Sequence, residues 1–408
     1  MIDKIRIYKE IELDITKFSS KFTYDNRLVP QKIDLETGEV LEDSYEVDRY
    51  IYSNNGLTII YSMKTNKLRL EGRLPNVTMT RNLVYNLDDF MLGEKKLIKV
   101  KIDQNERDLV ELCNETEYDS DDNLILSQQW QEEVKEIYVY DDIKTIISKV
   151  NDKIYELIGV RLDIKNFDIT YIETTFNIFN VEYVGRYIEL FNLIFKDKND
   201  KRYINYVLEK NLALDTSFYI KTKSDYQKNI KTNYTVNFYN KLDQLLSLEK
   251  NPKNKSKITA RDKELARNVL RLEVQLGYKE LKKTTKKFNQ FLDIDFCANI
   301  VKDKYRYFIS KDEMLDFYSY RNAKKIITNT DKLSKSDKKK LLNDMEQKHR
   351  FNKNFSKQKE SKYKSTLAIL GIHYYFIPTK WNIEYLESPI KQLDTKIQEI
   401  ESLLENRN

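Results

Sequence analysis

"NYTVNFYNKLDQ", residues 233–244, reads as a strand that runs directly into a helix. Apolar Val236 and Phe238 alternate with Thr235, Asn237, Tyr239 and Lys241. A pleat of period two therefore gathers an amide, a phenol and an ammonium on one face and hydrocarbon on the other.

Two further segments repeat the pattern. In "NFDITYIETTFNIF" (166–179), Tyr171, Glu173, Thr175 and Asn177 share one face, while Ile172, Phe176 and Ile178 share the other. In "NVLRLEVQLGY" (268–278), Leu270, Leu272, Val274 and Leu276 point one way and Arg271, Glu273 and Gln275 the other. Helical patterns, "KLDQLLSLEK" and "ARDKELARN", separate these runs. The combination predicts an α+β fold: a central antiparallel sheet with helices on its apolar face and an open polar face for catalysis.

Outward from this core, residues 1 to about 100 read as β-rich, with the alternating runs "KIRIYKEIELDI", "LTIIYSM" and "KLRLEGRLP" and the turn signal "LETGEV". A helix is predicted over 141–159, stopped by Gly159. The chain from about 305 is largely helical; "YKSTLAILGIHYYFI" (363–377) has the helix, glycine and apolar restart of a helix-turn-helix-like unit. In the last helix Ile390, Leu393, Ile397, Ile400 and Leu404 recur at spacings of three and four. That seam suits either packing on its own domain or a homodimer. The organisation expected is a β-rich subdomain over 1–105, a catalytic core over 125–300 and a basic helical domain over 305–408.

At 408 residues the chain can build two or three cores. Its 71 basic and 65 acidic residues give a net charge of only +6, so their distribution matters more than their sum. Residues 106–123 are acidic, and 324–364 carry a dense lysine and arginine excess that could follow phosphates. Aromatic runs at "YRYFIS" and "FYSYR" could stack on unpaired bases or fill a core. With 8 glycines, and neither GxxxxGK[ST] nor GxGxxG, phosphate-loop chemistry is excluded. Cys113 and Cys297 make no disulfide framework, and no apolar run approaches the roughly 18 residues of a membrane span, so a cytoplasmic protein with no membrane partner is expected. His349 and His373 stand far apart in the tail, which excludes a histidine-ligated catalytic metal or a histidine triad.

If the three polar faces are neighbours, Glu173 and Glu273 converge near Tyr239, with Lys241, Arg271, Asn177 and Asn237 around them. Two carboxylates among oxygen-rich neighbours suit a hard cation, Mg²⁺ or Mn²⁺, with Glu173, Glu273 and Asn177 as its ligands. A tyrosine there can attack phosphorus, since the ion or Lys241 would favour the phenolate and Arg271 would steady the charge on the phosphorane.

The order "IDKIRI", "ITYIETTF", "VNFYNKLDQL" and "VLRLEVQL" resembles the rolling-circle replication initiators of the filamentous-phage gene II protein type, and more loosely those of staphylococcal plasmids. The resemblance covers roughly 1 to 290. It implies that Tyr239 is the nucleophile that cleaves one strand at an origin and keeps the 5′-phosphate. It also implies that Glu173 takes the place of the family's earlier-strand aspartate, and that Arg271-Leu272-Glu273 takes the place of its Arg-Phe-Glu. Tyr171 stands where the family has a basic residue. Origin DNA, duplex and single-stranded, and a host helicase are the partners implied. A conjugative relaxase at a transfer origin, or a DNA-binding replication organiser without catalysis, are the alternatives.

Overall fold

A computed structural model describes residues 2–26, 28–29, 32–33, 40–42, 45–46, 48–54, 56–73, 92–103, 109–113, 130–141, 143–198, 200–227, 234–251, 258, 260–351 and 354–405. The turn signal at 35–40 and the acidic stretch at 106–123 fall largely outside them.

Ten strands form one sheet: β1 (Ile2–Glu10), β2 (Thr23–Asp25), β3 (Arg49–Asn54), β4 (Leu57–Ser62), β5 (Lys67–Arg73), β6 (Asp168–Ile178), β7 (Tyr203–Asn205), β8 (Ser217–Thr222), β9 (Tyr234–Asn240) and β10 (Leu270–Gly277). Their order is β7-β8-β9-β10-β6-β1-β5-β4-β3-β2, and every neighbouring pair is antiparallel. The β-rich start of the chain and the proposed catalytic core thus share a single sheet, joined where β1 lies against β6. A separate three-stranded antiparallel sheet is formed by Leu92–Asp103, Leu109–Cys113 and Trp130–Asp141, with the first of these in the middle.

The alternation read from the sequence is the alternation seen in burial. Along β4, Leu57, Ile59 and Tyr61 are buried and Thr58, Ile60 and Ser62 are half-buried. Along β10 the apolar set Leu270, Leu272, Val274 and Leu276 enters the main core with Val236 and Phe238 of β9 and Ile172, Phe176 and Ile178 of β6. Helices α1 (Ile143–Ile158), α2 (Val184–Lys198) and α4 (Ile294–Phe308) bury their apolar stripes in that same core. Phe191 of α2 makes edge contacts with Phe218, Phe238 and Tyr305 at centroid separations of 6.0, 6.1 and 5.8 Å. Each such buried ring contributes about 1.5–3 kcal/mol over leaving it in water. Gly159, at φ 72°, ends α1 in the left-handed conformation that glycine adopts without strain.

Strand β9 becomes helix α3 (Lys241–Glu249) within one residue because Asn240 has extended backbone and its side chain accepts from the Leu242 amide at 3.0 Å. The pleat therefore ends one residue after Tyr239, which places the phenol near the end of β9.

In the tail, α5 (Tyr320–Asn329), α6 (Lys335–Arg350) and α7 (Lys357–Ile369) build a second small core around Ile327, Leu341, Met345, Tyr363 and Leu367. The helix-turn-helix reading of 363–377 does not hold. After Gly371 the chain runs extended, bridging from Ile372 to Asp316 and from Ile377 to Ser319, with no second helix. The last helix, α8 (Pro389–Glu405), returns to the main core and buries Ile390, Leu393 and Ile397 there, so the near half of its seam serves its own domain. Residues Tyr305, Phe308 and Phe317, offered as stacking platforms, are core residues with no exposed ring. Both histidines are packed among rings. His373 is buried between Phe317 and Tyr374, accepts from the Tyr375 amide at 3.0 Å, and is pushed down to about 4 by burial. Among the described residues no helix is long and apolar enough to cross a membrane.

Candidate active site

The registers of β9, β10 and β6 fix which polar side chains are neighbours, because directly opposed residues in antiparallel strands share a face. Tyr239, Arg271 and Asn177 form one cross-strand row. Asn237, Glu273 and Thr175 form the next. Thr235, Gln275 and Glu173 form a third, which continues through Lys4 of β1 to Arg73 of β5. A slip of one residue in any of these strands would send its members to the hydrocarbon side.

The side chains close a network across the rows. The Tyr239 hydroxyl donates to Glu273 Oε2 at 3.2 Å. Arg271 Nε lies 3.6 Å from that same oxygen, and its guanidinium carbon is 6.0 Å from the Tyr239 ring centroid. The Gln275 amide donates to Glu273 Oε1 at 2.8 Å and to Glu173 Oε2 at 3.3 Å. Tyr171 adds its hydroxyl to Glu173 Oε2 at 3.2 Å. The two glutamates are therefore joined through one amide group, and one phenol is tied to each.

The patch is polar but closed. Tyr239 and Glu273 are each 5 % exposed, and Glu173, Thr175, Asn177, Lys241 and Arg271 are buried as well. Solvent reaches the polar face farther along, on β1 and β5. Charges out of water are tolerated only where they are paired and hydrogen-bonded, as here, and breaking one partner of such a set typically costs about 3–5 kcal/mol.

The structure brings together five of the six residues proposed from the sequence in two adjacent pairs and a bridge: Tyr239 with Arg271 and Glu273, Asn177 in their row, and Glu173 across Gln275. Lys241 is the buried first residue of α3, two positions past Tyr239, with its backbone amide on the Val269 carbonyl at 3.1 Å. Tyr234 sits on the opposite face, packed on Tyr203 and Phe308, where burial raises its phenol far above the ordinary range and keeps it neutral.

Gln275 is the residue that sequence reasoning placed on the polar face without giving it a role. Its signal was present, two positions beyond Glu273 on one pleat, but its partner Glu173 lies 102 residues away and only the register joins them.

Among the described residues no cluster of three or more His, Cys, Asp and Glu side chains could hold a metal. The donors on this face, two carboxylates and the Asn177 amide oxygen, are all oxygen, and the neutral Gln275 amide now bridges the carboxylates. That set fits Mg²⁺ or Mn²⁺, which take one or two protein carboxylates and complete their shell with water and phosphate oxygens. The chain matches no protein-family model and no curated protein.

Proposed function

We propose that this protein is a rolling-circle replication initiator: a metal-dependent, origin-specific enzyme that nicks and rejoins one DNA strand through a 5′-phosphotyrosine link. The observation that carries the reading is the hydrogen bond from the Tyr239 hydroxyl to Glu273, with the Arg271 guanidinium beside both. A general base must stand within hydrogen-bond reach of the proton it removes, and Glu273 does.

In the reaction, the Tyr239 oxygen bonds to phosphorus as the bond from phosphorus to the 3′-oxygen breaks. The phenol proton passes to Glu273, which returns it to the departing 3′-oxygen, so that the strand ends in a free 3′-hydroxyl. Arg271 faces the charge that develops on the phosphorane oxygens. Tyr171 and Gln275 hold Glu173 and Glu273 in place. A divalent ion held by Glu173, Glu273 and Asn177 would neutralise phosphate oxygens and favour the phenolate. Because one phosphodiester is exchanged for another, the strand's bond energy is kept for rejoining. The closed patch means that it opens before a phosphodiester enters, so access is a step of its own.

Origin DNA is the substrate in this reading, a helicase supplies the unwound strand, and the cytoplasm is where both are met. The exposed lysines of α5 and α6, such as Lys324, Lys335 and Lys339, supply sequence-independent affinity. The burial of Tyr239 favours one rival, in which the network only locks the strands in register and the protein organises DNA without cutting it.

Supercoiled plasmid bearing the cognate origin decides between the two. With Mg²⁺ or Mn²⁺, the wild type relaxes it and carries a covalent 5′ adduct, and Tyr239→Phe does neither. Equal relaxation by the two proteins rejects Tyr239 as nucleophile.

A further inference from the structure

The row that contains Gln275 and Glu173 does not stop at the buried patch. It passes to Lys4 and Arg73, and the next two rows outward on these strands pair Arg6 with Glu71 and Tyr8 with Arg69. On β1 and β5 alone, those three rows hold four cations, Lys4, Arg6, Arg69 and Arg73, against one carboxylate, Glu71; β6 adds Glu173 opposite Lys4 and Asp168 opposite Tyr8. Glu71 is already satisfied: Arg6 grips it through two nitrogens at 2.9 and 2.7 Å, and Lys4 lies 3.6 Å away.

Arg69 is exposed, with no hydrogen bond or ion pair from its guanidinium to another described residue. Burial and the Arg6 and Arg49 guanidiniums lower its proton affinity, against a smaller opposing pull from Glu71. Like charges set side by side on a flat sheet destabilise it, so an arrangement kept against that repulsion points to an anionic ligand that relieves it.

We propose that the polar face of β1 and β5 is a track for the backbone of single-stranded DNA leading to Tyr239, with Arg69, Arg73, Arg6 and Lys4 as successive phosphate contacts. The track runs into the row of Glu173 and Gln275, two rows from the recessed phenol of Tyr239. Phosphate contacts of this kind set position and affinity and carry no base preference. The assignment rests on the proposed nicking reaction for the strand's destination, but its binding chemistry is separable from it.

The test uses the full chain in EDTA, a fluorescein-labelled mixed-sequence oligonucleotide, and anisotropy titrations over a series of salt concentrations. Arg69→Ala weakens binding about threefold to tenfold and lowers the slope of log affinity against log salt by about 0.7, the share of one single-strand phosphate. Arg69→Lys keeps the slope. Affinity and slope unchanged in Arg69→Ala overturn the track, and so does an equal loss with the matching duplex. Should Arg69→Ala fail to fold by circular dichroism, the wild type is crosslinked to a 4-thiothymidine oligonucleotide. Adducts on the 67–73 peptide support the track, and adducts confined to 324–364 overturn it. Salt-dependent binding of this kind by a chain that forms no tyrosine adduct would keep the track and remove the nickase reading.

Discussion

The two halves of the sheet present the same pleat with opposite fates. On β6, β9 and β10 the polar face is closed from water at Tyr239, Arg271, Glu273 and Glu173, and hydrogen bonds join Tyr239, Glu273, Gln275 and Glu173 into one chain. On β1 and β5 the polar face is wet, and cations outnumber carboxylates. A buried phenol beside a carboxylate and a guanidinium is an arrangement for chemistry, since low dielectric strengthens every interaction in it. An exposed row of guanidiniums is an arrangement for holding a polyanion, since its worth lies in long-range attraction that salt screens. In the proposed function, the closed half makes the bond and the wet half holds the strand.

The contrast can be broken by removing one member from each half. The largest effect belongs to Glu273→Ala. It takes away the carboxylate shared by Tyr239, Arg271 and Gln275 and is expected to cost about 3 kcal/mol by urea unfolding, as for other buried charge partners. A cost under about 1 kcal/mol would mean that the patch is wetter than its burial implies. Tyr239→Phe removes a single hydrogen bond and keeps the ring, so about 1 kcal/mol is expected, and a midpoint near that of the wild type shows that lost cleavage is lost chemistry.

The smallest effect comes from the wet half. The Arg6 guanidinium, hydrogen-bonded to Glu71, holds that carboxyl below its ordinary value of 4.5. A depressed carboxyl contributes stability above that value and loses it as the pH falls through the lower folded value. Because the Glu71 side chain is 27 % exposed, the contribution is expected below about 1 kcal/mol. Thermal midpoints of wild type and Glu71→Gln should differ at pH 7 and converge as the pH falls through the lowered folded value. A gap that persists in acid assigns the pair to packing rather than charge.

The strands, their faces and the passage of 233–244 from strand to helix were legible because period two is a local signal, whereas the place of the junction, with Lys241 in the helix and not on the pleat, was set by the Asn240 cap. The pairing of Glu173 with Glu273 through Gln275 was not. It depends on the register of strands more than ninety residues apart, and no local pattern encodes that. Alternation also says which face is polar but not whether something lies over it, so the expected open catalytic surface is closed at Tyr239. Tyr305, Phe308 and Phe317 left two readings open for a related reason, since an aromatic run looks the same whether it meets bases or fills a core, and the structure puts them in the core. The reach of the sheet into the first seventy residues was equally hidden, because the contact of β1 with β6 spans more than 150 positions.

That long-distance contact bears on biogenesis. The strand at residues 2–10 can zip onto 67–73 early, but its other edge waits for residues 168–178 to leave the ribosome. At typical elongation speeds the delay is on the order of ten seconds. During that interval a ribbon of unpaired amides and carbonyls, backed by Ile2, Ile5 and Ile7, is a template for adhesion between nascent chains. Slowing translation between codons 75 and 165 should therefore lower soluble yield, and a holdase chaperone should restore it.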